Sequence, residues 1–266
     1  MSLAADLAPH LSHLRRYARA LTGSQVHGDA YVRACLETIV EAPDEFPRDV
    51  GAKVGLYKVF YAIWMTAHVD EPADLDDSMA KPERRLQRRL EELTPVSRQA
   101  LLLTAMEGFG ENETAEIIGI TPDEVGELVE MALADIQRQE RTKVLIIEDE
   151  PAISMDLASL VTDLGHQVVA ISMTRNQAVK AARDHKPGLV LADIQLADGS
   201  SGLDAVKEIL GQMEVPVIFI TAFPERLLTG ERPEPTFLIT KPFDHRTVQA
   251  TISQALFFNT SEALVA

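Results

Sequence analysis

Four short apolar runs in the second half of this chain each lead into a charged or hydroxyl side chain, and no other feature restricts the fold as much. Val144–Ile147 runs into Glu148 and Asp149, Leu189–Ala192 into Asp193, Val215–Ile220 into Thr221, and Phe237–Ile239 leads to Lys241. Short apolar runs rich in Val and Ile read as buried strands. Strand-like stretches at 143–147, 167–171, 188–192, 215–220 and 236–240 alternate with helical ones at 151–164, 174–185, 202–212 and 244–257, with a short helix after 220. This alternation predicts a doubly wound, five-stranded parallel sheet over residues 142–262, with helices on both faces. All five polar side chains then leave its carboxyl edge, where open α/β sheets hold ligands.

Glu148, Asp149 and Asp193 put three carboxylates in one place. Two such charges about 4 Å apart repel by about 4 kcal/mol at an effective dielectric near 20, so the cluster favours a cation. Hard oxygen donors suit Mg²⁺, which keeps several of its waters. A carboxylate beside that charge can attack phosphorus and hold an aspartyl-phosphate, and Asp193 is the candidate. Lys241 can hold one phosphoryl oxygen as a point charge, and the Thr221 hydroxyl can meet another. Pro242 follows Lys241, and a cis bond there would turn the lysine back into the pocket. Each residue also has a plainer reading. Asp149 before Pro151 can cap a helix, Thr221 can cap the next turn, and Lys241 can sit on the surface.

Together these residues resemble the receiver domain of two-component response regulators, over residue 142 to about 260. The resemblance implies that Asp193 accepts a phosphoryl group from a histidine kinase phosphodonor. It implies Mg²⁺ on Glu148, Asp149, Asp193 and the backbone carbonyl of Gln195, with Thr221 and Lys241 as phosphoryl contacts and switch. It implies a signal acceptor and not an enzyme; an aspartyl-phosphate phosphatase would need a second acid at position 195, which is Gln. Two positions depart from the family. Ala197 stands where a proline is usual, and Phe237 and Leu238 lie near the aromatic switch position, where the usual tyrosine is absent.

The first half reads as helices only. Leu7, Leu11, Leu14, Ala18 and Leu21 form one amphipathic stripe that Thr22-Gly23-Ser24 ends. A second helix is expected at 29–40 and a third at 50–68, with Pro43 and Pro47 between them. Asp70–Asp77 carries five acids and no base, which reads as a solvated linker at 70–82. A basic helix at 81–89 follows. Thr94-Pro95 reads as an N-cap with proline at the first helical position. Residues 111–137 read as a helix-turn-helix, with Gly119 in the turn and Thr121-Pro122-Asp123-Glu124 as a capping box. The expected organisation is thus one helical lobe at 1–69, a linker, a second lobe at 83–140, and the sheet domain.

Charge argues against DNA reading. The 266-residue chain carries a formal net charge of −16. Between Arg98 and Arg138 there are nine acids and no Lys or Arg. A recognition helix needs donors for phosphates and base edges, whereas Asp123, Glu124, Glu127, Glu130 and Asp135 would repel the backbone. The single cysteine, Cys35, excludes an intramolecular disulfide and reads as a small buried apolar group. Neither a signal peptide nor a membrane span is expected, so the reading is cytoplasmic, without direct contact to nucleic acid or membrane.

The stretch Leu14–Gly23 and the segment from Leu93-Thr94-Pro95 to Leu133 resemble the first and last domains of extracytoplasmic-function sigma factors. A sigma-like half ahead of a receiver resembles the PhyR type of general stress response regulator of alphaproteobacteria. That resemblance implies an anti-anti-sigma factor: phosphorylation uncovers the sigma-like half, which binds a small anti-sigma protein of the NepR type and frees the true sigma factor. The apolar faces near Phe60, Trp64, Leu101 and Leu128 are candidate contacts for the partner, or ordinary core. The alternative is an active, phosphorylation-controlled sigma factor or DNA-binding regulator.

Overall fold

A computed structural model describes residues 3–66, 94–137, 141–196, 199–224 and 235–265. The expected linker at 70–82 and basic helix at 81–89 lie outside the described residues, as does Ala197. The chain forms two compact units, Met1–Met131 and Ala132–Ala266.

The first unit is helical: α1 (Leu3–Leu7), α2 (Leu11–Thr22), α3 (Gln25–Glu41), α4 (Ala52–Thr66), α5 (Val96–Leu101), α6 (Glu111–Ile118) and the start of α7 (Pro122–Gln137). The expected first helix is interrupted. Ala8–His10 forms a 3₁₀ turn between α1 and α2, because Pro9 has no N–H for an α-helical bond. α3 starts four residues earlier than expected, where Ser24 caps it by accepting from the His27 N–H at 3.4 Å. Thr94 does not cap α5. Pro95 takes the N-cap position, and the buried Thr94 hydroxyl donates to the Leu21 carbonyl at 2.7 Å. α5 continues through Leu102–Met106 as a π-turn and ends at Gly108, whose φ is +69°. The helix-turn-helix is as expected. Gly119 closes α6 with φ +83°, and Thr121 and Glu124 bond reciprocally at 2.7 and 3.4 Å.

α2 and α3 approach closely because Gly28 has no side chain; a Cβ there would lie 2.7 Å from the Arg19 backbone nitrogen. Beside this contact Arg19, fully buried, and Arg15 both donate to the Asp29 carboxylate. In the core Tyr17 packs edge to face with Phe60 and tilted against Tyr57. Phe60, Trp64 and Leu101 are buried there too, as the ordinary-core reading has it, and Leu128 is half-buried.

In the second unit β1 (Lys143–Ile147), β2 (Gln167–Ser172), β3 (Leu189–Ala192), β4 (Val217–Thr221) and β5 (Phe237–Thr240) form one parallel sheet in the order β2-β1-β3-β4-β5. α8 (Pro151–Asp163) and α11 (His245–Val265) cover one face, and α9 (Arg175–His185) and α10 (Gly202–Leu210) cover the other. Alternate strand residues Leu145, Ile147, Val190, Ala192, Phe219 and Leu238 pack with Val179, Val206 and Ile209 under α9 and α10. Each fully buried Ile, Leu or Val adds about 1.5–3 kcal/mol. Strand order reverses between β1 and β3, and their carboxyl ends face the crevice where such sheets bind ligands. Among the described residues no helix is long and apolar enough to cross a membrane.

Candidate functional site

Strand pairing places the acids. The Glu148 N–H continues the ladder to the Ser172 carbonyl at 3.0 Å, and the Asp193 N–H donates to the Ile147 carbonyl at 2.8 Å. Glu148, Asp149 and Asp193 therefore turn out of the sheet side by side, with one carboxylate oxygen of each within 4.8 Å of the others. Asp193 Oδ1 accepts from its neighbours' N–H groups, Ile194 at 2.5 Å and Gln195 at 3.4 Å, which orients the carboxylate. Asp149 does not cap α8; Glu150 occupies the N-cap position and makes no side-chain capping bond.

Lys241 enters from the last strand. Its N–H donates to the Thr221 carbonyl at 2.8 Å, and the Lys241–Pro242 bond is cis. Its Nζ donates to Asp193 Oδ2 at 2.7 Å and to Glu148 Oε2 at 2.8 Å, with Glu150 Oε1 at 3.7 Å. An ammonium thus sits on the phosphoacceptor candidate itself. Burial pulls the Lys241 pKa down, but the bonds to Asp193 and Glu148 outweigh it and hold the group above its ordinary value. Burial pushes the Glu148 carboxyl above its ordinary range, against the pull of Lys241.

Thr221 is fully buried at the end of β4, and its hydroxyl accepts from the Phe223 N–H at 3.2 Å. That is the local turn bond of the plainer reading, made by the side chain expected to switch. A cavity of about 260 Å³ opens over the site, lined by Asp149, Glu150, Asp193, Gln195, Leu196, Ala222, Phe223 and Lys241. Glu150 and Phe223 were not expected there; the three consecutive acids Glu148-Asp149-Glu150 carried a signal for the first, and nothing in the sequence singled out the second. Phe237 and Leu238 are both buried in β5, so neither supplies a mobile surface aromatic. Gly202, at the start of α10, has no room for a side chain, because a Cβ would meet the Asp193 carbonyl.

The donor set fits Mg²⁺: three clustered carboxylates, partly shielded from water, beside an open cavity that leaves room for waters and a phosphoryl group. Away from this pocket, Asp123, Glu124, Glu127, Glu130 and Asp135 are all exposed on α7.

Family models match in three places: the Sigma2 domain of PhyR at residues 7–61, the PhyR sigma-like domain at 90–139, and the response regulator receiver domain at 144–253. The phyllosphere-induced regulator PhyR of Methylorubrum extorquens is 52% identical over 98% of this chain and 97% of its own length. The response regulator PhyR of Brucella abortus, 48% identical, superposes with a TM-score of 0.86 over 100% of this chain and 98% of its own. The anti-anti-sigma factor PhyR of Bartonella quintana, 50% identical, also reaches 0.86, covering 99% of both chains. A helical sigma-like part followed by a five-stranded receiver, matched end to end at this identity, means that the chain belongs to the PhyR family of response regulators.

Proposed function

We propose that this chain is a phosphorylation-activated anti-anti-sigma factor of the cytoplasm. A histidine kinase phosphodonor phosphorylates Asp193, and the sigma-like half then sequesters a NepR-type anti-sigma protein, freeing the true sigma factor for stress transcription. One observation carries the reading: a receiver pocket with Lys241 Nζ on Asp193 Oδ2 at 2.7 Å shares a chain with a helix-turn-helix whose exposed face is acidic. The first is built to take a phosphoryl group; the second has a DNA reader's shape with charges that repel DNA. The Bartonella relative, described as an anti-anti-sigma factor, supports it.

Glu148, Asp149, Asp193 and the Gln195 carbonyl would hold Mg²⁺, whose charge would let the phosphodonor approach an anionic site. A carboxylate oxygen of Asp193 attacks phosphorus; the bond to the donor histidine breaks and its electron pair returns to the imidazole. The product carries about −1.5 to −2 charges. Lys241 then exchanges a carboxylate oxygen for a phosphoryl oxygen. Thr221 gives up the Phe223 N–H and turns its hydroxyl to the phosphoryl group, which moves the loop after β4. Reversing a resting balance from 1:99 to 99:1 takes about 5.5 kcal/mol, supplied jointly by the modification and by a partner that binds the released form.

The test compares wild type with Asp193→Asn, each with and without acetyl phosphate and Mg²⁺, for binding of a purified NepR-type protein. Donor-dependent binding by wild type alone is expected. Equal behaviour of the two proteins refutes the reading, and salt-sensitive, promoter-specific DNA binding with core polymerase replaces it with an active sigma factor.

A further inference from the structure

The first unit holds a charged cluster that the phosphoacceptor chemistry does not use. Glu107 is the single buried carboxylate among the described residues of that unit. It lies beyond the π-turn that ends α5, in the segment matched by the PhyR sigma-like domain, and its partners come from the segment matched by the Sigma2 domain. From α2, Arg16 donates to Glu107 Oε1 through Nε at 3.2 Å and Nη2 at 2.9 Å, and Nη2 also donates to the Met106 carbonyl at 3.1 Å. From α4, the Tyr57 hydroxyl donates to Oε2 at 2.7 Å, and Lys53 Nζ donates to the Glu107 backbone carbonyl at 2.7 Å. His13 Nδ1 stands 4.0 Å from Oε2.

Two features make this a joint and not ordinary core. A carboxylate at a helix C-terminus opposes the helix dipole, so Glu107 is tolerable there only while Arg16 and Lys53 cover it and the last carbonyls. The joint is also made of groups that water can satisfy. A buried ion pair adds little over its solvated halves, whereas removing one partner leaves a buried charge that drives the site open. Such a contact fastens two bodies in one geometry without committing them to it. Around it, the Lys53 ammonium lies over the Phe109 ring at 4.1 Å, and Lys58 pairs with Glu116 across the same boundary.

We propose that Glu107 is a latch holding the two sigma-like segments together in the resting protein, and that the partner binds the form in which the latch is open. The inference rests on the reading above for its partner, and its first measurement needs none. Cys35 is buried, so cysteines introduced at exposed Val40 on α3 and Glu127 on α7 take paired spin labels in the full-length chain. Wild type should give one distance population. Glu107→Gln should add a second, longer one, and Tyr57→Phe, which removes one hydrogen bond and keeps the ring, should add a smaller amount of the same. Donor-free binding of a purified NepR-type protein should rise at least about tenfold in Glu107→Gln, because apparent affinity scales with the competent fraction. Loss of packing alone would not create a gain in binding.

Unchanged distances and unchanged donor-free binding in a folded Glu107→Gln overturn the latch; if that variant does not fold, the same result in Tyr57→Phe does. Wild type treated with acetyl phosphate is the control: if it fails to bind the partner, the function proposed above falls, and the distance data alone decide the latch.

Discussion

Replacing Lys241 by Met removes the ammonium from the receiver pocket and keeps most of the side chain's volume. The side chains of Lys241, Glu148 and Asp193 are 9%, 1% and 11% exposed, so solvent screens their contacts little. One contact at about 2.8 Å is about 6 kcal/mol of gross attraction at an effective dielectric near 20. Desolvation offsets much of it, and removing one partner of a buried pair costs about 3–5 kcal/mol net. The variant is left with three carboxylates whose oxygens lie within 4.8 Å, and each pair at that spacing repels by about 3.5 kcal/mol. A divalent cation relieves this, and relieves it more where the ammonium is gone. Lys241→Met should therefore lose about 3–5 kcal/mol without Mg²⁺. With Mg²⁺ at saturating concentration the gap should narrow by at least about 1.4 kcal/mol, the equivalent of tenfold tighter metal binding. The single tryptophan, Trp64, lies in the other unit, so the receiver has no tryptophan of its own. Amide hydrogen exchange of β1 and β3 by mass spectrometry, in denaturant with and without Mg²⁺, is the assay. A loss that is the same with and without metal would refute the view that ammonium and Mg²⁺ answer one shared charge.

Two further outcomes follow from the packing. Burial pushes the Cys35 thiol up to about 12 from 9.0; burial, then the Glu107 charge, hold the Tyr17 and Tyr57 hydroxyls well above 10.0. All three stay protonated in the native state, so their stabilising contribution is complete below the unfolded values and is lost as pH rises past them. The first unit should lose about 1.4 kcal/mol per pH unit for each group so passed; Trp64-monitored unfolding at pH 8, 10 and 11 checks it, and a flat profile would contradict the burial. Gly202→Ala should push the phosphoacceptor loop aside, cost about 1–3 kcal/mol and slow acetyl phosphate labelling of Asp193. Gly211→Ala, whose Cβ would meet nothing closer than 3.5 Å, should do neither.

The receiver was legible because its signals are local. A parallel strand buried on both faces reads as an unbroken apolar run, and the residue after it must sit on the sheet edge, whatever the rest of the chain does. The capping box at Thr121 and the glycine turn at Gly119 were legible for the same reason. Misreadings occurred where a local signal had a distant competitor. Thr94 before Pro95 has the pattern of an N-cap, but its hydroxyl donates to Leu21, 73 residues away. Glu107, one of the nine acids counted between Arg98 and Arg138, carries no local sign of burial. Its burial depends on Arg16 and Tyr57, 91 and 50 residues away in sequence, and no spacing rule links those positions. Pro9 is a different failure: the apolar stripe continued through it, and periodicity outweighed a missing N–H.

These two kinds of residue also divide the acidic charge of the helix-turn-helix segment by task. Of the nine acids between Arg98 and Arg138, only Glu107 is buried, and its charge is met by Arg16. The other eight are exposed, and of these Glu116 pairs with Lys58. No Lys or Arg stands within α7 itself, so its own sequence offers these acids no base. Fold and electrostatics are separable here because the buried positions of α7, Val125, Ala132 and Ile136, are apolar and alternate with its exposed acids. A chain can keep a sigma factor's shape for a protein partner while its charge shuts out the nucleic acid that the shape would otherwise fit.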